Sequence, residues 1–305
     1  KRRFDVWQCE RTVPRQRSRE AWQATDGDGR VGLNFPADDV AVSGTYGYGM
    51  DGRTYTNLDY GAVMGVGRSL DGLNRLTGIS ATPSNASAIS FSYTLNLADQ
   101  RTTNSLADGS RWAYDYDSLG QVISGKKAFS DGTPVGGSQF EYQFDTAGNG
   151  VSAELGDSSL SAIYTANSVN QKTNGTVAGK VLFTGSAVTN ATVSVRLGTN
   201  NATLANRHGE SFWKLVDADN SSALFASTNL KVTAYMAQGT TSLVRTESRQ
   251  AMIPKTPEDI AWYMDGNMAC DGIWTNSWDA QNRLVSRETV SAVPESQKRR
   301  VEYRH

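Results

Sequence analysis

The sequence is poor in the residues that build zinc and nucleophilic sites, with two histidines and two cysteines in 305 residues. Zinc sites take several His and Cys ligands, and Cys9 and Cys270 have neither zinc nor redox spacing. We expect two free thiols, with a Cys9–Cys270 bridge as the alternative. A Ser-His-Asp triad would need His208, since His305 is terminal, and no Gly-x-Ser-x-Gly motif accompanies it. We interpret His208 as a loop histidine and assign no catalytic residue.

An excess of charge and a long apolar run are also missing. Thirty Lys and Arg face 31 Asp and Glu, so the net charge is −1. Such a balance draws the chain to neither nucleic acid nor membrane surfaces. No stretch of 18 apolar residues could span a bilayer, and no apolar segment follows Lys1-Arg2-Arg3 as a signal peptide would require. Residues 1–25 are more basic than the rest, and we interpret them as a leader or arm.

What the chain does contain is a repeat of aromatic strands that run into Asp or Asn and a tight turn. The clearest copies are Tyr114–Val122, Tyr142–Asn149, Tyr93–Arg101 and Trp278–Leu284. Weaker copies are Leu70–Leu76, Tyr164–Gln171 and Tyr263–Asn267, in which Asp265 is taken as the marker acid. Two strands and two turns fit the spacing between copies, so the repeat predicts an extended antiparallel sheet.

The marker acids have a structural role in this interpretation. A carboxylate at a strand end accepts hydrogen bonds from backbone N–H groups further along the turn. A following glycine supplies the positive φ that such a turn needs. The predicted turn residues are Asp117, Gly120, Asp145, Gly148 and Asp279.

These motifs resemble the YD-repeat, or RHS-repeat, family, whose pattern is roughly Tyr-x-Tyr-Asp-x-x-Gly-Arg-Leu. The resemblance covers residues 50 to 171 and 260 to 305. It implies an all-β fold, a curled sheet forming part of a hollow shell, in a secreted or cell-surface bacterial protein. The implied partners are the rest of a larger repeat protein or its enclosed cargo. Asn96, Asn167 and Gln121 depart from the pattern, and residues 301–305 resemble the start of a further unit.

The repeat is interrupted between residues 176 and 253, where short alternating runs replace it. Regular short strands separated by turn signals predict an inserted β-sandwich-like domain. The predicted organisation is an arm at 1–25, repeats at 26–172, the insertion at 176–253, and repeats again at 258–305.

Two kinds of binding site are compatible with the composition. Acidic turns could hold Ca²⁺ through Asp26 and Asp28, or through Asp217 and Asp219, although metal-free turns of this kind are commoner. Aromatic rings on a curled sheet could stack on sugars, through Trp112, Tyr114, Tyr116, Trp274 and Trp278, or simply pack between repeats. A carboxylate pair, Asp115 and Asp117, has a spacing near that of glycosidases, but the turn already explains Asp117.

Two functions follow from these patterns. The first is a structural or interaction fragment of a repeat shell, for encapsulation or cell-surface adhesion, with glycans as a further partner. The alternative is a calcium-dependent hydrolase of small esters or lactones, in which Ca²⁺ polarises the carbonyl.

Overall fold

The structure is a computed structural model that describes residues 63–305 and the backbone of strand segments at 23–24, 31–34, 43–48 and 55–59. The chain forms two compact units, Lys1–Tyr93 and Thr94–His305. The boundary falls inside the predicted repeat segment 26–172. Apart from residues 23–24, the predicted arm and the pair Asp26 and Asp28 lie outside the described residues, as does Cys9.

The first unit is an antiparallel meander in which each described strand pairs with the next. Its strands are β1 (Gln23–Ala24), β2 (Val31–Asn34), β3 (Ser43–Tyr48), β4 (Tyr55–Asp59), β5 (Met64–Leu70), β6 (Leu76–Pro83) and β7 (Ile89–Leu95), of which the last ends in the second unit.

The second unit holds a longer meander, the repeat sheet. Its first strands are β8 (Arg101–Leu106), β9 (Arg111–Tyr116), β10 (Val122–Ala128), β11 (Pro134–Phe144), β12 (Gly150–Leu155), β13 (Ser161–Ala166) and β14 (Lys172–Gly175). Neighbours in this series pair antiparallel, and the alternation of half-buried and exposed residues along β9 is typical of a sheet with one better-covered face.

An insertion of two small sheets follows β14. One sheet consists of β15 (Lys180–Ser186), β18 (Asn206–His208) and β19 (Ser211–Asp217). The other consists of β16 (Thr192–Leu197), β17 (Thr203–Leu204), β20 (Phe225–Gln238) and β21 (Thr241–Ile253).

The core of the insertion lies on one side of β16. Val193, Val195 and Leu197 alternate along the strand and are at most 2% exposed. Phe183 and Phe212 of the other sheet are also buried. Each such side chain contributes about 1.5–3 kcal/mol when fully buried, so this cluster is the main apolar core of the insertion.

The repeat sheet resumes after the insertion, because β14 pairs directly with the next strand, β22. The remaining strands are β22 (Glu258–Trp262), β23 (Met268–Asp271), β24 (Trp274–Trp278), β25 (Leu284–Thr289) and β26 (Arg300–Glu302), with a short 3₁₀ helix at Glu295–Gln297. Among the described strands, β26 pairs only with β25, so the sheet is open there. The prediction of an all-β, open repeat sheet with a small two-sheet insertion is confirmed.

Within the described residues, no helix has the length and apolar character needed to cross a membrane.

Candidate functional site

The hairpin loops of the repeat share one backbone conformation over five residues. In the loop Asp117–Gln121, the Gly120 N–H donates to the Asp117 carbonyl at 3.1 Å, and the Asp117 N–H donates to the Gln121 carbonyl at 3.0 Å. Gly120 has a φ of +81°. This is a type I turn closed by a left-handed residue, a common hairpin connection. The fourth position therefore needs Gly, Asn or Asp.

The acid or amide at the first position fixes the loop. Asp117 Oδ1 accepts from the N–H groups of Leu119 at 2.9 Å and Gln121 at 2.8 Å. Asp145 does the same for Ala147 and Asn149, and its pKa is lowered mainly by the Asn149 amide. The same cap recurs at Asp71, Asn96, Asn167 and Asp279.

In five of the six described loops with this cap, all except the Asp117 loop, the side chain at the fifth position bonds to the side chain at the first. Arg283 Nε lies 2.7 Å from Asp279 Oδ2. The hydrogen bond from the Arg283 backbone N–H is the main reason that the pKa of Asp279 falls to about 2, and the Arg283 side chain adds to it. Where the first residue is Asn96 or Asn167, the fifth is glutamine, whose oxygen accepts from the asparagine amide at 2.7 and 2.8 Å. The replacement of Asp by Asn therefore keeps the loop geometry.

One predicted repeat copy has a different register. Tyr263, not Asp265, occupies the first position of its loop, because the Gly266 N–H donates to the Tyr263 carbonyl at 3.0 Å. Asp265 sits at the third position, where its carboxylate accepts from the Asn267 N–H. The interpretation of Asp265 as the marker acid of this copy was wrong.

Two further loops have Asp at the third of their five positions, and the sequence patterns did not predict them. They are Leu106–Ser110 and Phe129–Thr133, with Asp108 and Asp131 at the third position and glycine at the fourth. The signal that could have found them is Asp-Gly followed by Ser, Thr or Asn.

Successive loops alternate between the two edges of a meander. The first-position caps of the second unit, together with the Tyr263 loop, therefore share one edge of the repeat sheet, which we call the Asx edge. The Leu106 and Phe129 loops and the insertion lie at the opposite edge, the insertion edge.

Loops along the Asx edge contact one another. Asn149 Nδ2 donates to Asn170 Oδ1 at 3.0 Å, and Asn267 Nδ2 donates to Asn282 Oδ1 at 2.9 Å. Each bond joins the fifth position of one loop to the fourth position of the next. A Cβ added to Gly120 would lie 3.0 Å from Gln100 Nε2, so the same approach occurs there. We call this series the loop ladder.

The two faces of the repeat sheet differ. Register places the following residues on one side, the aromatic face: Trp112, Tyr114, Tyr116, Phe140, Tyr142, Tyr164, Trp262, Trp274 and Trp278. All are of intermediate exposure. The ring of Trp112 stacks at 6.2 Å on both Tyr114 and Phe140, and burial raises the pKa of Tyr114.

Several of these rings also have polar partners. Trp278 Nε1 donates to the Met268 carbonyl at 2.9 Å, and the Tyr116 hydroxyl donates to the Arg101 carbonyl at 2.7 Å. The Arg287 guanidinium lies 5.2 Å from the Trp274 ring. The predicted aromatic set is thus brought to one face, with its rings partly packed on neighbours and partly exposed.

The opposite, polar face carries a groove of about 570 Å³. Asp115, Asp117, Lys126, Glu141 and Glu154 lie along it. Lys126 is bonded to Glu141, and that bond is the largest cause of its raised pKa, with Glu154 and Asp115 adding to it. The predicted pair Asp115 and Asp117 meets here, but Asp117 is occupied by its loop N–H groups.

His208 lies where the insertion meets the repeat sheet. Its ring stacks on Phe129 with centroids 3.9 Å apart, and its Nε2 lies 2.8 Å from Asp131 Oδ2. This bond is the main reason that the pKa of Asp131 falls to about 2. Beside it, Trp213 packs on Gly136 so closely that an added Cβ would lie 2.1 Å from the indole. His208 therefore acts as a docking residue in this geometry.

The candidate calcium ligands of the insertion are engaged in other bonds. Asp217 pairs with Lys180, and Asp219 Oδ1 accepts from the Ser221 N–H and hydroxyl, which lowers the pKa of Asp219. No group of three His, Cys, Asp or Glu side chains suited to a metal occurs in the part of the chain that the structure describes. Cys270, half-buried on β23, forms no disulfide with a described residue. The calcium hypothesis stays a prediction.

Comparison with known proteins gave structural neighbours only. No protein-family model matches the chain, and no curated protein matches it. A chain of the crystal structure of TcdB2-TccC3-Cdc42 matches with a TM-score of 0.39 and 12% identity, and one of TcdB2-TccC3 with 0.38 and 13%. The matches cover 90% of this chain but only 14% and 15% of those chains. At these values the likeness carries no conclusion about activity.

Proposed function

We propose that this chain is a structural and interaction protein, a piece of the wall of a repeat-sheet shell that encloses another polypeptide. The observation that supports this most directly is the loop ladder. The ladder joins capped loops of one geometry along the Asx edge. The carboxylates of these caps accept hydrogen bonds from backbone N–H groups and do not form a reaction centre. Together with the YD-repeat resemblance, this arrangement favours a wall over an enzyme.

A wall needs stiffness along the direction in which the strands succeed one another. Strand pairing supplies hydrogen bonds between neighbours, and the bonds Asn149–Asn170 and Asn267–Asn282 add a second link between adjacent hairpins at their tips. Each such bond stabilises the sheet by roughly 0.5–1.5 kcal/mol net, so the loop ladder opposes the separation of neighbouring hairpins. The loss of a single bond leaves the other links in place.

We propose that the aromatic face is the surface that contacts the enclosed polypeptide. Its rings are half-exposed, so part of their apolar area is available for burial. Two rings also carry cations, Lys172 at 3.7 Å from Tyr164 and Arg287 at 5.2 Å from Trp274, and Arg287 is held in place by bonds to Asp271 and Asn276. A surface of this kind suits a chain without a fixed fold better than a single small ligand.

Binding of a fluorescently labelled, chemically unfolded model polypeptide tests this proposal by anisotropy. Trp112→Ser removes the ring at the centre of the stacked row, and we expect it to weaken binding about fivefold or more, or roughly 1 kcal/mol. Arg111→Ser, one residue away on the polar face, is the matched control and leaves affinity within about twofold. Equal affinities for both variants, or no binding by the wild type, would contradict the proposal.

Cell-surface adhesion through glycans is the alternative use of the same face. A glycan array distinguishes the two, with Trp274→Ala as the variant. Glycan binding that Trp274→Ala abolishes would favour adhesion over encapsulation.

A further inference from the structure

The long strand β21 forms a free edge of the insertion. Among the described strands it pairs only with β20 and is the last strand of its four-stranded sheet. Residues 241 to 250 are all exposed. A free edge presents a row of N–H and C=O groups that a further strand can use.

We propose that β21 pairs antiparallel with β21 of a second copy of this chain, about a two-fold axis through Thr246. This inference does not depend on the proposed wall function. Two-fold pairing of one strand with itself gives an isologous interface, and two-fold dimers are the commonest homo-oligomers.

An axis through Thr246 requires that the N–H and C=O groups of Thr246 point away from β20, and the register of β21 meets this requirement. Gln238 and Thr241 close a two-residue hairpin loop with Gly239 at a φ of +61°. The closing pair of such a loop is a hydrogen-bonded pair, so hydrogen-bonded and free residues alternate from there. Thr246 is therefore one of the residues whose N–H and C=O point away from β20. An axis through it makes Thr246 and its copy a hydrogen-bonded pair.

The charges of β21 are self-complementary in this register. Arg245 then lies opposite Glu247 of the partner subunit, and Glu247 lies opposite Arg245 of the partner subunit. Both are non-hydrogen-bonded pairs, in which side chains approach most closely. The three charged side chains are exposed, Arg245 at 83%, Glu247 at 52% and Arg249 at 66%, so they are free to turn towards a partner.

Charges on an edge strand often serve to prevent pairing. Here Arg245, Glu247 and Arg249 lie on the same side of the sheet as the core residues, where Val232 opposes Glu247 and Ala234 opposes Arg245. In the single chain, Glu247 contacts both arginines, at 3.8 and 3.3 Å. Such an arrangement blocks most partner strands but admits one whose charges alternate in the opposite order, as the second copy does about Thr246.

A second register is also conceivable from charge alone. An axis through Ser248 would set Glu247 opposite Arg249 of the partner subunit. It would bring the half-buried residues 251–253 into the pairing, whereas the axis through Thr246 uses only exposed residues from Ser242 to Gln250. We therefore favour the axis through Thr246, because it pairs exposed residues only.

Sedimentation equilibrium of the whole chain over a range of concentrations tests the proposal. We expect the average mass of the wild type to rise towards twice the chain mass, with a dissociation constant on the order of 1–100 μM for so small an interface. Arg245→Glu sets like charges opposite each other and weakens dimerisation about tenfold or more. Arg245→Glu combined with Glu247→Arg restores it to within about threefold.

Arg249→Glu is the matched control. It makes the same charge change, but in this register it lies opposite Leu243 of the partner subunit, so dimerisation persists. Thr246→Pro removes an outward N–H and leaves the backbone bonds to β20 in place, although it also removes the exposed hydroxyl contact with Thr233 at 3.2 Å. We expect it to abolish pairing while the circular dichroism spectrum stays near that of the wild type, and Thr246→Val, which removes only the hydroxyl, is its control for Tm. A wild type that stays monomeric, a dimer that Thr246→Pro leaves intact, or one disrupted by Arg249→Glu but not by Arg245→Glu would overturn the proposal.

Discussion

The side chain of Asn149 donates a hydrogen bond from Nδ2 to Oδ1 of Asn170, 21 residues along the chain, over 3.0 Å, so two hairpin loops are joined at their tips. Asn149 also donates to Asp145 Oδ2 at 2.9 Å within its own loop. One amide thus couples the internal geometry of a loop to its neighbour.

Asn170→Gly isolates the link between loops. Glycine accepts the φ of +62° at this position without strain, so the main loss is the amide partner of Asn149. We expect a loss of about 0.5–1.5 kcal/mol in unfolding free energy by urea titration. A double-mutant cycle with Asn149→Ala gives the coupling energy directly. A coupling near zero would show that the loops are independent.

Gly148→Ala tests the need for a left-handed residue at the fourth loop position. Gly148 has a φ of +83°, which costs an L-residue roughly 1–2 kcal/mol, and the new Cβ would lie 3.4 Å from Gln121 Nε2. We expect a lower Tm for this variant. Gly72→Ala is the control, since Gly72 lies in a loop of the same kind without positive φ and has open space at its Cβ position. Equal Tm losses would refute the conformational explanation.

Gly136→Ala tests the docking of the insertion on the repeat sheet. The added Cβ would overlap Trp213, and overpacking of this kind costs about 1–3 kcal/mol. We expect faster proteolytic cleavage around residues 176 to 180 and a shift in tryptophan emission. Gly65→Ala, where nothing lies within 4 Å of the new Cβ, serves as the control. Unchanged cleavage of the Gly136 variant would show that the contact is dispensable.

Stability should depend on pH through Asp131. Its pKa falls from 3.8 to about 2 in the folded chain, chiefly through His208, so its contribution is present above pH 4. Because the folded pKa is the lower one, that contribution is lost as the pH falls from 4 towards 2. Asp131→Asn should therefore lower Tm at pH 6 and flatten the change in Tm between pH 4 and pH 2.

Asp157→Asn is the control for this pH series. The Asp157 carboxylate accepts from the Ser159 N–H and has no histidine bonded to it in the described structure. If both variants show the same smaller change in Tm between pH 4 and pH 2, the His208 contact is not the cause of the pH dependence.

Calcium calorimetry followed by a small ester and lactone panel, with and without chelator, tests the hydrolase hypothesis. The wall proposal expects neither tight calcium binding nor chelator-sensitive turnover. Turnover that both chelator and Asp28→Ala remove would instead establish the metal mechanism.

The sequence predicted the features that depend on neighbours in the chain. Asp117 and Gly120 lie three residues apart, and the loop that joins them is a local consequence of side-chain capping and allowed φ. The shifted register at Tyr263 was missed because Asp-Gly occurs in both loop types, at different positions. Only the backbone bond from Gly266 to Tyr263 distinguishes them.

Local sequence patterns could not predict the contacts between segments that are distant in the chain. His208 and Asp131 are 77 residues apart, and neither has a sequence neighbour that indicates the other. The sequence predicted a loop histidine, whereas His208 is the last residue of strand β18, and the packing of the insertion places Phe129 against its ring. The division into units at Tyr93 and Thr94 likewise has no turn or composition signal that marks it.

The pairing of β14 with β22 has a consequence for the order of assembly. Asn174 and Asp259 are bonded at 3.1 Å although 85 residues separate them. The other neighbouring strands of the repeat sheet are joined by short connections and can pair one after another along the chain. The pairing of β14 with β22 must instead close a long loop. Buried Asn220 bonds the Val177 and Pro254 carbonyls and so brings the two ends of the insertion together. Folding of the insertion therefore shortens the loop that β14 and β22 have to close, which favours the joining of the last five strands to the sheet.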